Sequence, residues 1–124
     1  MSKSVLLVDD DKVLNFLTAN AFKRSEQVTE VLVAYDGIEA LHLLDELDEP
    51  LDFILLDISM PNMDGFQFLE NYYKQGLNSS AKIAIYTSSI EEADKHKASK
   101  FKDVIDFIVK PLSNEKLEEI LTKL

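Results

Sequence analysis

Five short apolar runs recur along the chain, and they constrain its fold more than any other feature. They are Val5–Val8, Val31–Ala34, Phe53–Leu56, Ile83–Tyr86 and Ile105–Val109, and their last residues lie 26, 22, 30 and 23 positions apart. Apolar side chains fall at consecutive positions rather than alternate ones, so as strands these runs need cover on both faces. Between them apolar residues return at helical spacing: Leu14, Leu17 and Ala21; Ala40, Leu44 and Leu47; Phe66, Leu69 and Tyr73; and finally Leu117, Ile120, Leu121 and Leu124. Strand and helix therefore alternate five times. That pattern predicts an α/β fold, a doubly wound parallel sheet with helices on both faces. The 124 residues read as one domain spanning 1–124, with no linker, low-complexity tract or repeat beyond the βα rhythm.

Two helix starts carry local signals. Ser113 is placed to cap the last helix, with Leu112 and Leu117 spaced for a hydrophobic staple. Ser88, Ser89, Glu91 and Glu92 give overlapping capping-box signals before the fourth helix, and lysines gather at its far end, where the helix dipole favours them. Only Ile90, Ala93 and Ala98 are apolar there before Phe101, so this helix should be weakly anchored.

Charge and composition exclude several classes of function. The chain has 23 acidic and 13 basic residues, a formal net charge of −10, which disfavours a nucleic-acid surface. Its apolar runs are only a few residues long, against the ~20 a membrane helix needs. With no cysteine there is no disulfide, thiolate metal site or cysteine nucleophile. Three glycines, Gly37, Gly65 and Gly76, leave no room for a dinucleotide or P-loop fingerprint. Met1-Ser2-Lys3-Ser4 leads straight into the first run and is no signal peptide. A soluble, cytoplasmic protein is expected, without nucleic-acid or membrane contact. The charge is uneven: residues 1–62 hold 13 acids and 4 bases, residues 63–124 hold 10 and 9. Lys95, Lys97, Lys100 and Lys102 fall within eight residues, either a solvated helix end or a patch facing a partner. His42 and His96 each stand alone on a helical stretch and read as surface residues.

The chemistry sits where the runs end. The first is followed by Asp9-Asp10-Asp11, the third by Asp57, the fourth by Thr87-Ser88-Ser89 and the fifth by Lys110-Pro111. In a parallel sheet these carboxyl ends share one edge, where doubly wound folds bind ligands. Carboxylates meeting there repel one another and invite a divalent cation, and an all-oxygen donor set selects a hard ion, Mg²⁺ or Mn²⁺. A lysine beside them supplies a compact charge for a phosphoryl oxygen, and a threonine hydroxyl can donate to another. Such a site suits phosphoryl transfer onto Asp57.

These segments carry a family resemblance. Val5-Leu6-Leu7-Val8-Asp9-Asp10-Asp11, Leu55-Leu56-Asp57-Ile58-Ser59-Met60-Pro61-Asn62-Met63-Asp64-Gly65, Ile85-Tyr86-Thr87-Ser88 and Phe107-Ile108-Val109-Lys110-Pro111 together resemble the receiver domain of bacterial response regulators, of the single-domain chemotaxis type. The resemblance spans the whole chain and rests on the ordered set. It implies a flavodoxin-like sheet in the order 2-1-3-4-5 with five helices. It implies that Asp57 accepts phosphate from a sensor histidine kinase or a histidine phosphotransfer protein. Asp9, Asp10, Asp57 and the Ser59 carbonyl would organise Mg²⁺, and Lys110 would pair with the phosphoryl group. Thr87 and Phe107 would relay the change to the face formed by the fourth helix, fifth strand and fifth helix. Ser59 and Ser89 occupy positions that tune phosphoryl hydrolysis, and the Lys110–Pro111 bond is expected to be cis. Phe107 departs from the family's common tyrosine, so its rotamers would differ in packing and not in a hydrogen bond. The chain would be a switch that promotes its own phosphotransfer and dephosphorylation only, not an enzyme with turnover, and would act on an unspecified output protein.

Two other readings compete. An aspartyl-phosphate hydrolase also uses Asp and Mg²⁺, but its nucleophile follows the first strand in an Asp-x-Asp arrangement with a cap domain. A flavin carrier of the same topology would have a Ser/Thr-rich loop where this chain has three aspartates. A receiver cut from a DNA-binding regulator would share every feature named here.

Overall fold

The computed structural model describes residues 2–77 and 80–124. Five parallel strands, β1 (Lys3–Val8), β2 (Val28–Ala34), β3 (Phe53–Asp57), β4 (Lys82–Thr87) and β5 (Val104–Val109), form one sheet in the order β2-β1-β3-β4-β5. The helices between and after them are α1 (Lys12–Lys23), α2 (Gly37–Glu46), α3 (Gly65–Gln75), α4 (Glu92–Ala98) and α5 (Asn114–Thr122).

Alternation along the central strands divides the core into two layers. Leu6, Val8, Ile54, Leu56, Ile83 and Ile85 face α2 and α3, packing on Ala40, Leu44, Phe68 and Tyr72. Val5, Leu7, Phe53, Leu55, Ala84 and Tyr86 face α1 and α5, packing on Phe22, Leu117, Ile120 and Leu121. This is why the strands read as unbroken apolar runs. Pairing of Leu7 with Leu55 and of Leu56 with Ile85 keeps the ends of β1, β3 and β4 level.

Four helices begin with a side-chain cap. The Asp11, Asp36, Asp64 and Ser113 side chains accept from the N–H groups of Leu14, Glu39, Gln67 and Lys116, and Asp64 with Gln67 closes a full capping box. The exception is α4. Its N-cap is Glu91, which makes no side-chain cap bond. The boxes expected from Ser88 and Ser89 do not form, because the helix begins one turn later and Ser89 lies in a turn bonded to Thr87. Only Ala98 of α4 is buried.

A second correction concerns α1. Leu17, expected on the buried stripe with Leu14 and Ala21, is 57% exposed, beside Val13 and Phe16 at 72% and 67%. The buried face is Asn15, Thr18, Ala19 and Phe22, while Leu14 and Ala21 are half-buried against it. Among the described residues no helix is long and apolar enough to cross a membrane. His42 and His96 are both exposed.

Candidate functional site

In the order β2-β1-β3-β4-β5 the winding reverses between β1 and β3, and the carboxyl ends of these two strands frame a crevice. Asp9 leaves β1 and Asp57 closes β3, both nearly inaccessible at 2% and 4% exposure, whereas Asp10 is exposed. Carboxylate oxygens of Asp9, Asp10 and Asp57 lie within 4.8 Å of one another.

Backbone geometry holds the acids in place. Asp9 Oδ1 accepts from the Asp11 N–H at 3.0 Å, and its main-chain carbonyl accepts from the Asn15 side-chain amide at 2.6 Å. Asp57 Oδ1 accepts from the Ser59 N–H at 2.9 Å. Gly65 lets the start of α3 press on the end of β3: a Cβ there would lie 2.6 Å from the Asp57 carbonyl oxygen and 2.8 Å from the Ile58 Cα. The Gly65 N–H bonds the Ile58 carbonyl at 3.2 Å.

Lys110 enters from the end of β5. Its ammonium lies 2.8 Å from Asp9 Oδ2 and 3.2 Å from Asp57 Oδ2. It also sits 5.4 Å above the centre of the Tyr86 ring, whose hydroxyl accepts from the Leu112 N–H at 2.9 Å. The intervening Lys110–Pro111 peptide bond is cis. Tyr86 thus braces both the lysine and the chain after it.

The electrostatics follow from burial. Desolvation pushes the Asp57 carboxyl up to about 6; the Ser59 N–H and Lys110 pull it down, while the charge of Asp9 adds to the rise. Burial works against the Lys110 ammonium, but its bonds to Asp9 and Asp57 outweigh that and raise its pKa. One lysine offsets only part of three carboxylates. Asp9 Oδ2 is fully buried, and the contact it makes is the ion pair with the Lys110 ammonium. All-oxygen donors and surplus negative charge together fit a small, hard divalent cation.

The remaining sequence candidates lie around this centre. Thr87 ends β4 at 7% exposure, and its hydroxyl donates to the Ser89 carbonyl at 3.0 Å and accepts from the Ser89 N–H at 3.3 Å. Ser59 and Ser89 are both exposed. They line a trough of about 320 Å³ with Thr87, Phe66 and Lys97. Phe107 is half-buried in the middle of β5, outside the carboxylate cluster, and packs on the α3 side of the core. Its N–H donates to Asp106 Oδ1 at 2.8 Å, and Asp106 Oδ2 lies 2.6 Å from the Lys116 ammonium on α5.

Comparison with known proteins decides the family: the model of the response regulator receiver domain matches residues 5–122. The chain belongs to that family. As a receiver it is 33% identical over 119 residues to the chemotaxis protein CheY of Listeria monocytogenes, covering 96% of this chain and 95% of that protein. It is 28% identical to the probable C4-dicarboxylate response regulator DctR of Bacillus subtilis, covering 96% of this chain but only half of that longer protein. Among solved structures, a two-component response regulator from Cytophaga hutchinsonii superposes with a TM-score of 0.87 at 27% identity, covering 98% of this receiver and 95% of that chain. The sheet order and five helices of the receiver are those of its CheY-like, flavodoxin-type neighbours.

Several residues that shape this receiver's cleft escaped sequence reasoning. Asn15 and Tyr86 were overlooked because each falls within an element read for its apolar pattern. The signal available was a polar atom in a segment otherwise destined for the core. Spacing alone assigns Leu17 of α1 to the buried stripe and Val13 and Phe16 to neither face, although all three are exposed.

Proposed function

We propose that this receiver is a phospho-acceptor switch in a histidine-to-aspartate relay, with Asp57 as the acceptor. The observation that carries the reading is the pairing of Asp57 Oδ2 with the Lys110 ammonium at 3.2 Å inside a cluster of three carboxylates at the winding reversal. The Asp57 carboxylate attacks phosphorus while the bond from phosphorus to the donor's nitrogen breaks, and the leaving imidazole takes up a proton. Asp9, Asp10, Asp57 and the Ser59 carbonyl are the groups that would hold Mg²⁺. Bound there, the ion supplies positive charge against the phosphoryl oxygens. Lys110 would neutralise further charge, and the Ser59 N–H holds the Asp57 carboxylate in orientation.

Signal output requires two arrangements of the same loop. Thr87 keeps its hydroxyl on the Ser89 backbone, so bonding a phosphoryl oxygen would mean releasing both of those contacts. Movement of Thr87 would open space for the Phe107 ring and shift α4, which is held by little. The donor would dock on the exposed Val13, Phe16 and Leu17 of α1, a helix whose N-cap Asp11 directly follows Asp9 and Asp10 of the crevice.

The test is intact mass after incubation with acetyl phosphate and Mg²⁺. The wild type should gain one phosphate and the Asp57→Asn variant none. A stable adduct on the variant would overturn the assignment. The hydrolase reading predicts multiple turnovers on a phosphomonoester such as p-nitrophenyl phosphate, read in a separate incubation as free phosphate far in excess of protein, which a receiver would not release from that ester.

A further inference from the structure

The lysine cluster that stood out in the sequence converges on a groove that the phosphoacceptor site does not use. Phe66, Glu70 and Tyr73 follow one another at spacings of four and three along the face of α3 turned to α4. Opposite them stand Lys97 at the end of α4 and Lys100, Phe101 and Lys102 in the loop beyond it. The lower half of this groove is a trough of about 480 Å³ lined by Glu70, Tyr73, Lys100, Phe101 and Lys102. Its floor is the half-buried Tyr73 ring, backed from the core by the buried Phe101. The Tyr73 and Phe101 rings stack with centres 5.7 Å apart and planes 16° apart, and the Tyr73 hydroxyl is pinned by Asp103 Oδ2 at 2.7 Å.

The rim is cationic and uncommitted. Lys95, Lys110, Lys116 and Lys123 all pair with carboxylates, but among the described residues no carboxylate pairs with Lys97, Lys100 or Lys102. Lys97 lies 5.4 Å over the Phe66 ring and Lys100 5.6 Å over the Phe101 ring, so both are held against the groove by ring faces alone. Lys97 shares the upper trough with Asp64, Glu91 and Asp94, whereas Lys100 and Lys102 line the lower one with Glu70 as its one acid.

We infer that the α3–α4 groove is a docking surface for an acidic protein segment bearing one aromatic side chain. The ring would lie on the Tyr73–Phe101 floor and its flanking carboxylates on Lys100 and Lys102. Charge complementarity selects this occupant: the lysines attract acids, whereas the acidic remainder of the surface repels a long polyanion such as DNA. The trough is shallow and open, which suits a side-chain plug on a longer segment better than an enclosed small molecule. Glu70 on the far wall opposes the segment's charge and sets its direction, leaving the lysine wall to hold the acids.

The inference stands on the groove's own geometry and does not depend on Asp57 chemistry. The probe is a synthetic nonapeptide with a central phenylalanine flanked by aspartates and glutamates, titrated into the unphosphorylated full chain and followed by amide shifts. Binding is expected at roughly 0.1–1 mM, as for a contact far below 1,000 Å². The largest shifts should fall on residues 70–73 and 97–103. The Lys100→Glu/Lys102→Glu double variant should bind at least about fivefold more weakly, and Glu70→Gln about twofold more tightly, since rim charges act at this scale. Replacing the peptide's phenylalanine by alanine should lose a similar factor. The variants' remaining shifts, unchanged from wild type, verify their fold. The inference is overturned if the shifts map to β5 and α5, if the charge reversals leave affinity unchanged, or if a neutral peptide binds equally. It is also overturned if inorganic phosphate or a single-stranded oligonucleotide displaces the peptide at equal concentration.

Discussion

Replacing Asp57 by Asn should make the metal-free protein more stable, although it removes the group on which the proposed function depends. Burial raises the Asp57 carboxyl from 3.8 to about 6. Two pH units correspond to about 3 kcal/mol, and water at the mouth of the crevice screens this to about 1–2 kcal/mol. The asparagine oxygen can keep the Ser59 N–H bond, and Lys110 keeps Asp9 as a partner at 2.8 Å, so little is lost in return. For a domain of this length each kcal/mol moves the melting temperature by about 3–6 °C.

The pH dependence supplies a sharper check. Between 3.8 and about 6 the folded protein holds a proton on Asp57 that the unfolded chain has released, so this group's contribution to stability falls as pH rises through that window. The penalty is complete above about 6, fades across this window and is gone only below 3.8. Melting curves of wild type and Asp57→Asn in chelator, at fixed ionic strength, should therefore differ most at pH 7.5 and converge toward pH 4.5. Magnesium at tenfold its dissociation constant should restore about 1.4 kcal/mol to the wild type and less to the variant. A variant that melts below wild type at pH 7.5, or a gap that stays constant with pH, would refute the buried-carboxylate account.

Gly65→Ala should lower stability by about 1–3 kcal/mol, read as a lower melting temperature, because the new Cβ meets backbone that cannot swing aside. Tyr86→Phe removes the acceptor for the Leu112 N–H but keeps the ring under Lys110. It should cost about 1 kcal/mol in thermal melts while phosphate uptake by intact mass persists. Thr87→Ala should accept phosphate yet lose the amide-shift response of residues 92–98; a response equal to wild type would separate Thr87 from the switch.

The parallel sheet was accessible from the sequence because β1, β3 and β4 are covered on both faces, and full cover leaves a pattern that local propensity cannot blur; its order came from the family resemblance alone. The cleft was accessible for a related reason: each strand end carries a residue too polar to belong to the run before it. The α1 face was not. Val13, Phe16 and Leu17 form as convincing a stripe as Ala19 and Phe22, and it is the packing of Ala19 and Phe22 on the sheet, with the Asn15 bond to the Asp9 carbonyl, that turns the second side inward. The cap of α4 was hidden because two adjacent serines offered equivalent starts, and the Thr87 hydroxyl engages one of them. The hydrogen bonds that mark both places join residues only six and two positions apart, but a side chain bonding to nearby backbone leaves no trace in the apolar pattern.

Where this fold can change shape cheaply follows from the same contacts. Helix α3 is tied down by a full capping box, by Gly65 packed on β3 and by Phe68, Leu69 and Tyr72, all buried. Helix α5 holds to the sheet through Leu117, Ile120 and Leu121, and through the Lys116–Asp106 pair. Helix α4 has seven residues, one buried side chain, no side-chain cap and a single lysine resting on Phe66. Segments with so few buried contacts open at the lowest free energy. The loop that leads into α4 starts at Thr87, whose hydroxyl is bonded to two backbone groups of Ser89 and to no side chain. A charge placed on Asp57 competes there with two ordinary hydrogen bonds, each of net worth about 1 kcal/mol, rather than with a packed core. A perturbation of a few kcal/mol at the crevice is therefore large enough to move α4 and too small to move the sheet that holds the crevice together.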